Sequence, residues 1–192
     1  YNGTNNAGFV KPPMEDGRTN PGPARIPNPL ALNMYVLGYD ADKYLSKMNK
    51  AVKHNLKTYI SQYRMLTDAI NIKDAYIINI GVNFSILTLK NYNKREVVLR
   101  CVEKIRQFFE IDKWQINQPI EKSDLVYEIS LVDGVRSVLD VTFNNKYKTE
   151  EGSSGNVYDI KEATRDNVVY PSADPSIFEI KYYQKDIRGR AS

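Results

Sequence analysis

Apolar and polar residues alternate along residues 75–89 (AYIINIGVNFSILTL). Ile78, Ile80, Val82, Phe84 and Ile86 share one face, and Asn79, Gly81, Asn83 and Ser85 share the other. A period of two predicts a half-buried strand. The period then changes. Val97, Val98, Cys101, Val102, Ile105, Phe108 and Phe109 recur at spacings of three and four, which predicts a helix over 94–110 with a broad stripe packed on a sheet. Asn93 is placed to cap this helix, with Glu96 at capping-box spacing. The connector 114–120 (WQINQPI) leads to a short helix over 123–132, with Leu125, Ile129 and Val132 inward and Gly134 as its stop. Val135, Leu139, Val141 and Phe143 then alternate with Arg136, Asp140 and Thr142 as another half-buried strand.

Upstream, 32–39 (LNMYVLGY) reads as a buried strand, and Asp40 or Asp42 as the N-cap of a helix over 43–66. The apolar stripe of that helix is Leu45, Met48, Val52, Leu56, Tyr59, Tyr63 and Leu66, facing inward. Lys43, Lys50, Lys57 and Arg64 repeat every seven residues on the opposite side, because an offset of two residues is a rotation of about 200°. Residues 70–74 turn the chain into the strand at 75. Downstream, 146–156 (KYKTEEGSSGN) is a polar loop. Short strands are expected at 157–160, 168–170 and 177–183, separated by turn chemistry at Asp166-Asn167 and 171–175.

Residues 1–30 hold six of the nine prolines and four of the ten glycines. Pro12, Pro13, Pro21, Pro23, Pro27 and Pro29 exclude helix there, so the segment reads as an extended linker. The element order is βαβααβ with a β-rich C-terminal arm. It predicts an α+β fold in which two long helices cover a small mixed sheet. The expected divisions are a Pro/Gly-rich extended segment at 1–30, an α+β core domain at 31–145 and an arm at 146–192.

Composition narrows the function classes. A chain of 192 residues can bury a sizeable core. The net charge of +4, from 27 basic and 23 acidic residues, is too balanced for a dedicated nucleic-acid binder. One Cys excludes an intrachain disulfide framework and suits a reducing compartment, and one His excludes a His-based metal cluster. Cys101 lies in the apolar stripe and reads as a small core residue. No apolar run approaches a membrane span, and no signal peptide is visible. The chain opens at Tyr1 without Met, as a fragment of a longer protein would. Fourteen of the aromatic residues are Tyr, a side chain suited to half-exposed strand positions and to interfaces.

No constellation predicts catalysis, a cofactor or a metal. Asp40-Ala41-Asp42 is better explained by capping than by metal binding, and His54 has no Ser, Cys or acidic partner nearby in sequence. Gly152-Ser-Ser-Gly155 lacks the Gly-Lys-Ser/Thr ending of a phosphate-binding loop and reads as a flexible tip. The sequons at Asn2-Gly3-Thr4 and Asn83-Phe84-Ser85 are chance matches. The row Lys43, Lys50, Lys57 and Arg64 is either a solvated face or a dock for an acidic neighbouring subunit or nucleic acid. A basic α+β nucleic-acid-binding module is the competing functional reading. The aromatic strands by which RNA-recognition modules stack bases are absent, since Tyr76 and Phe84 do not supply that pattern.

The strand at 32–39, the capped helix after it, the strand at 75–89, the helix at 93–110, the WQINQPI connector and the short helix ending in Asp133-Gly134-Val135 together resemble the J-like baseplate family of contractile phage tails. The stretch 169–182 (VYPSADPSIFEIKY) is similar to the end of that family's wedge-ring subunits in T-even-type phages. The resemblance covers 30–190 and rests on order and patterning. It implies a structural virion protein, not an enzyme, here the C-terminal part of a longer subunit. Its partners would be copies of itself and other baseplate wedge proteins, in a ring around the tail hub that rearranges when the sheath contracts. It would be assembled in the host cytoplasm, with no small-molecule substrate, cofactor or membrane.

Overall fold

The computed structural model describes residues 31–63, 69–148 and 152–192 and is a mixed α+β structure. Contacts divide it at Ala75/Tyr76, whereas the sequence suggested divisions at 30/31 and 145/146.

The unit before Tyr76 begins with β1 (Ala31–Val36). A small hairpin follows, β2 (Gly38–Tyr39) against β3 (Leu45–Ser46), then helix α1 (Lys50–Ser61) and β4 (Ala69–Asp74). β1 and β4 pair in parallel, Leu32 opposite Ile70 and Val36 opposite Asp74, so a crossover through α1 joins them. Three expectations are corrected here. Residues 70–74 form a strand, because the alternation of Ile70 and Ile72 with Asn71 and Lys73 is used in pairing. The strand at 32–39 is not buried: Leu32 is 60% exposed in a two-stranded sheet. The helix is far shorter than 43–66, since residues 44–46 are taken into the hairpin and Asn49 caps α1.

The second unit is built on the long strand β5 (Tyr76–Thr88). Helix α2 (Lys94–Phe108) follows, then a 3₁₀ turn (Ile111–Lys113), β6 (Ile120–Glu121), α3 (Lys122–Ser130) and β7 (Val135–Asn145). The remaining elements are α4 (Ile160–Ala163), β8 (Thr164–Arg165), β9 (Val168–Val169), β10 (Ser176–Glu179), α5 (Tyr183–Asp186) and β11 (Ile187–Ala191). β5 is the spine of this sheet. It pairs antiparallel with β7, and in parallel with β10 along Tyr76–Asn79 and with β11 along Val82–Ile86. The expected arm after 145 therefore supplies two strands to the same sheet as β5. The expected strand at 157–160 is replaced by α4, whose N-terminal amides bond the Asp159 carboxylate at 3.0 and 3.1 Å.

Ile78, Ile80, Val82, Phe84 and Ile86 are all buried as the alternation predicts, but Ile77, Asn79 and Gly81 on the other face are buried too, so β5 is half-buried only from Asn83 onwards. Val97, Cys101 and Ile105 of α2 and Leu125 and Ile129 of α3 are buried as well, with α2 packed beside β11 and α3 beside β7. Asn93 caps α2 by accepting from Arg95 N–H at 3.0 Å, while the Glu96 carboxylate is taken by Arg100. α3 ends at Ser130 with Leu131 as its C-cap, short of the expected 132, and Gly134 lies beyond it in the turn to β7, with φ of +94°, a conformation that L side chains rarely adopt. Leu139 departs from its inward assignment and is 58% exposed. The register slips by one residue there, with Ser85 opposite Asp140 but Ile86 opposite Val138, so a bulge turns Leu139 out.

The polar loop is not a flexible tip over its described part. Ser154 N–H bonds Asn79 Oδ1 at 2.7 Å, and both Ser154 Oγ and Asn156 Nδ2 donate to the Ile77 carbonyl at 2.7 Å. This loop continues the edge of β5 that β7 leaves at Ile80, which is why Asn79 is buried although its alternation puts it on the polar face.

Candidate partner-docking surface

The basic row is dispersed by the fold. Asp40 Oδ1 accepts from Asp42 N–H at 3.0 Å and Tyr44 N–H at 2.9 Å, which closes the β2–β3 turn. Asp40 thus closes a turn and does not cap a helix, the N-cap of α1 being Asn49. Lys43 sits in that turn with φ of 64°, off the helix. Lys50 is the first residue of α1 and Lys57 lies two turns on, both exposed. Arg64 and Leu66 lie outside the described residues.

The helix itself starts where Asn49 accepts from Ala51 N–H at 2.9 Å. Its contact with β4 is organised by Asp74, whose carboxylate accepts from Met48 N–H at 3.1 Å and pairs with Lys53 Nζ. At 3.6 residues per turn, Lys53, Leu56 and Ile60 occupy a wedge of about 60°. These three are half-buried, and no residue of α1 is fully buried. The expected inward stripe is therefore corrected: Val52, Tyr59 and Tyr63 are 50%, 60% and 75% exposed. They form one flank of the wedge, with the Tyr59 and Tyr63 rings 5.2 Å apart. Lys50, His54 and Lys57 form the other flank, within about 60° of one another.

On the basic flank, α1 and β4 enclose a groove of about 300 Å³ lined by Lys53, His54, Lys57, Asn71, Ile72 and Lys73. Lys53 is neutralised by Asp74, but among the described residues Lys57 and Lys73 enter no ion pair. Lys57 belongs to the basic row marked by the sequence, whereas Lys73 lies in 70–74, which reads there as a turn. The strand period placing Lys73 opposite to Ile72 was the available signal.

In the second unit a larger cleft of about 550 Å³ opens beside the WQINQPI connector, between α2 and α3. Both of its lysines are matched, Lys104 bonded to Glu128 at 2.9 Å and Lys113 to Glu110 at 2.8 Å. The Lys113 ammonium, by hydrogen bond and charge, holds the Glu110 carboxyl below its usual range. Trp114 Nε1–H donates to the Phe108 carbonyl at 3.0 Å, so the connector is tied to the end of α2.

Cys101 is fully buried, and burial pushes its thiol up to about 11, opposite to the shift a nucleophile needs. Tyr158 is likewise buried, donates to the Tyr170 carbonyl at 2.8 Å, and is pushed up to about 12 by burial and by the charge of Asp159. Among the described residues no group of three His, Cys, Asp or Glu side chains could hold a metal ion, and no helix is long and apolar enough to cross a membrane. No family model matches the chain, and no curated protein matches it significantly.

Proposed function

We propose that this chain is a structural subunit of a phage tail baseplate wedge, which associates with copies of itself and with neighbouring wedge proteins around the tail hub. One observation carries the association: Val52, Tyr59 and Tyr63 form an exposed apolar flank on a helix whose own sheet covers only the neighbouring wedge. Tyrosines of this kind give large contact area with few rotamers to immobilise. The order of elements that resembles the J-like baseplate family supplies the wedge context.

Sedimentation velocity at micromolar concentration tests the reading. The chain is expected to associate reversibly, and the double variant Val52→Ser/Tyr59→Ser to associate more weakly while unfolding at the same urea concentration. A chain that stays monomeric, or a variant that associates equally well, would remove the support for it. The competing nucleic-acid-binding reading draws on the basic side chains and predicts steeply salt-dependent binding to generic DNA.

A further inference from the structure

We infer that the open edge of β4 takes up an acidic, extended segment of a partner protein, which adds to it as a strand. Three consecutive residues, Asn71, Ile72 and Lys73, line the groove beside α1. Side chains on one face of a strand recur every second residue, so three in succession place the strand's edge in the groove. Among the described residues β4 pairs with β1 alone, which leaves alternate N–H and C=O groups of Ala69–Asp74 directed away from β1. Such an edge is the surface that recognition by strand addition uses.

The chemistry of the occupant follows from the charges on both sides of this edge. Asp74 reaches Lys53, so the even-numbered residues of β4 face α1. A strand added beside β4 would send alternate side chains towards His54 and Lys57 on the helix side and towards Lys73 on the other. Cations flank both faces, and Asp74 is already committed to Lys53 and to Met48 N–H. The site therefore fits a run of consecutive carboxylates, with one apolar side chain against Ile72, better than a segment with carboxylates on one face only. Edge lysines also deter promiscuous pairing, which here restricts the edge to acidic partners. The inference is independent of self-association, since the aromatic flank lies on the opposite side of α1.

Fluorescence anisotropy with the full chain and a labelled short peptide of glutamates and valines tests it. Binding is expected at low salt, weakening as salt rises through the physiological range. Lys57→Glu/Lys73→Glu should lower the affinity at least ~10-fold, while Lys94→Glu/Arg188→Glu in the second unit should leave it unchanged. The same peptide N-methylated at alternate residues keeps its charge but cannot complete the ladder, and should also lose at least ~10-fold. Far-UV circular dichroism of each variant establishes that it is folded, and Lys57→Gln/Lys73→Gln, a milder change, should show an intermediate loss. Equal binding of the methylated peptide would reduce the contact to charge attraction and overturn strand addition. Unchanged binding to the charge reversal, or no binding at all, would overturn the site. Binding of oligothymidylate that competes with the peptide at equal affinity would reassign the groove to nucleic acid.

Discussion

Replacing Phe109 with Ala separates the core of the second unit from its rim. Phe109 is 2% exposed, stacks on Trp114 with centroids 5.2 Å apart and planes at 13°, and meets Phe143 edge-on at 6.3 Å. Removing a fully buried Phe costs about 3–5 kcal/mol in transfer and cavity terms. Its neighbour Phe108 is only half-buried, and the Phe108 group that matters most to the connector is its carbonyl, which accepts from Trp114 and survives the change to Ala. Phe108→Ala should therefore cost about 1–2 kcal/mol, the partial-burial share of a Phe side chain. With a urea slope of roughly 1–3 kcal/mol/M, the Phe109 variant should lower the midpoint by more than ~1 M and the Phe108 variant by less. Trp114 is the only tryptophan, so its fluorescence follows this unit, with circular dichroism as a check because both variants alter its surroundings. A loss below ~1 kcal/mol for Phe109→Ala, or a larger loss for Phe108→Ala, would show that the end of α2 is docked on the wrong face.

Gly189→Ala should destabilise by about 1–3 kcal/mol, because a Cβ there would meet the Phe84 ring and come within 2.8 Å of Val98. A neutral urea midpoint for that variant would mean that α2 does not press on β11. Asn79→Leu should cost about 2–4 kcal/mol, since it strips the Ser154 amide and the buried Glu179 carboxylate of a shared partner; a calorimetric Tm equal to wild type would refute this. Stability should be intact below pH 9 and fall as pH rises towards 11–12. Folding holds Cys101 and Tyr158 protonated above their ordinary 9.0 and 10.0, so the unfolded chain loses those protons first. A urea midpoint constant up to pH 11 would contradict it. Finally, Cys101 should resist alkylation at pH 8 until denaturant exposes it, and rapid labelling of the native chain would count against its burial.

The parts of the fold legible in the sequence were those whose pattern is local. The buried row Ile78, Ile80, Val82, Phe84 and Ile86 of β5 and the stripe and cap of α2 each follow from a period or a single residue type. What was hidden depends on partners distant in sequence. β4 and β11 are short strands whose pairing with β1 and β5 no local period reports. Asn79 is buried because residues 154–156 close over it, and Leu139 turns out because a bulge shifts one register. The helix start was misplaced by a competition between caps. Asp40 and Asn49 are both plausible N-caps, and Asp40 was captured by a turn in which its carboxylate bonds two amides.

The surface of α1 was half legible for a physical reason. Periodicity records how much of a helix avoids water but not what covers it. Periodicity assigns the whole stripe from Leu45 to Leu66 inward, Val52, Tyr59 and Tyr63 included, yet two parallel strands are narrow, and on α1 Lys53, Leu56 and Ile60 are half-buried while those three are exposed. An apolar stripe wider than its own sheet can cover leaves the excess as an exposed patch, and such patches on soluble domains mark contacts with other molecules. The same narrowness explains the basic flank. Among the described residues the two-stranded sheet leaves the outer edge of β4 open, and that edge lies beside His54 and Lys57. Widening the sheet by one strand would cover that edge and bring the added side chains against the cations. The shortness of this sheet thus accounts both for the tyrosines left outside α1 and for the strand edge open beside its lysines.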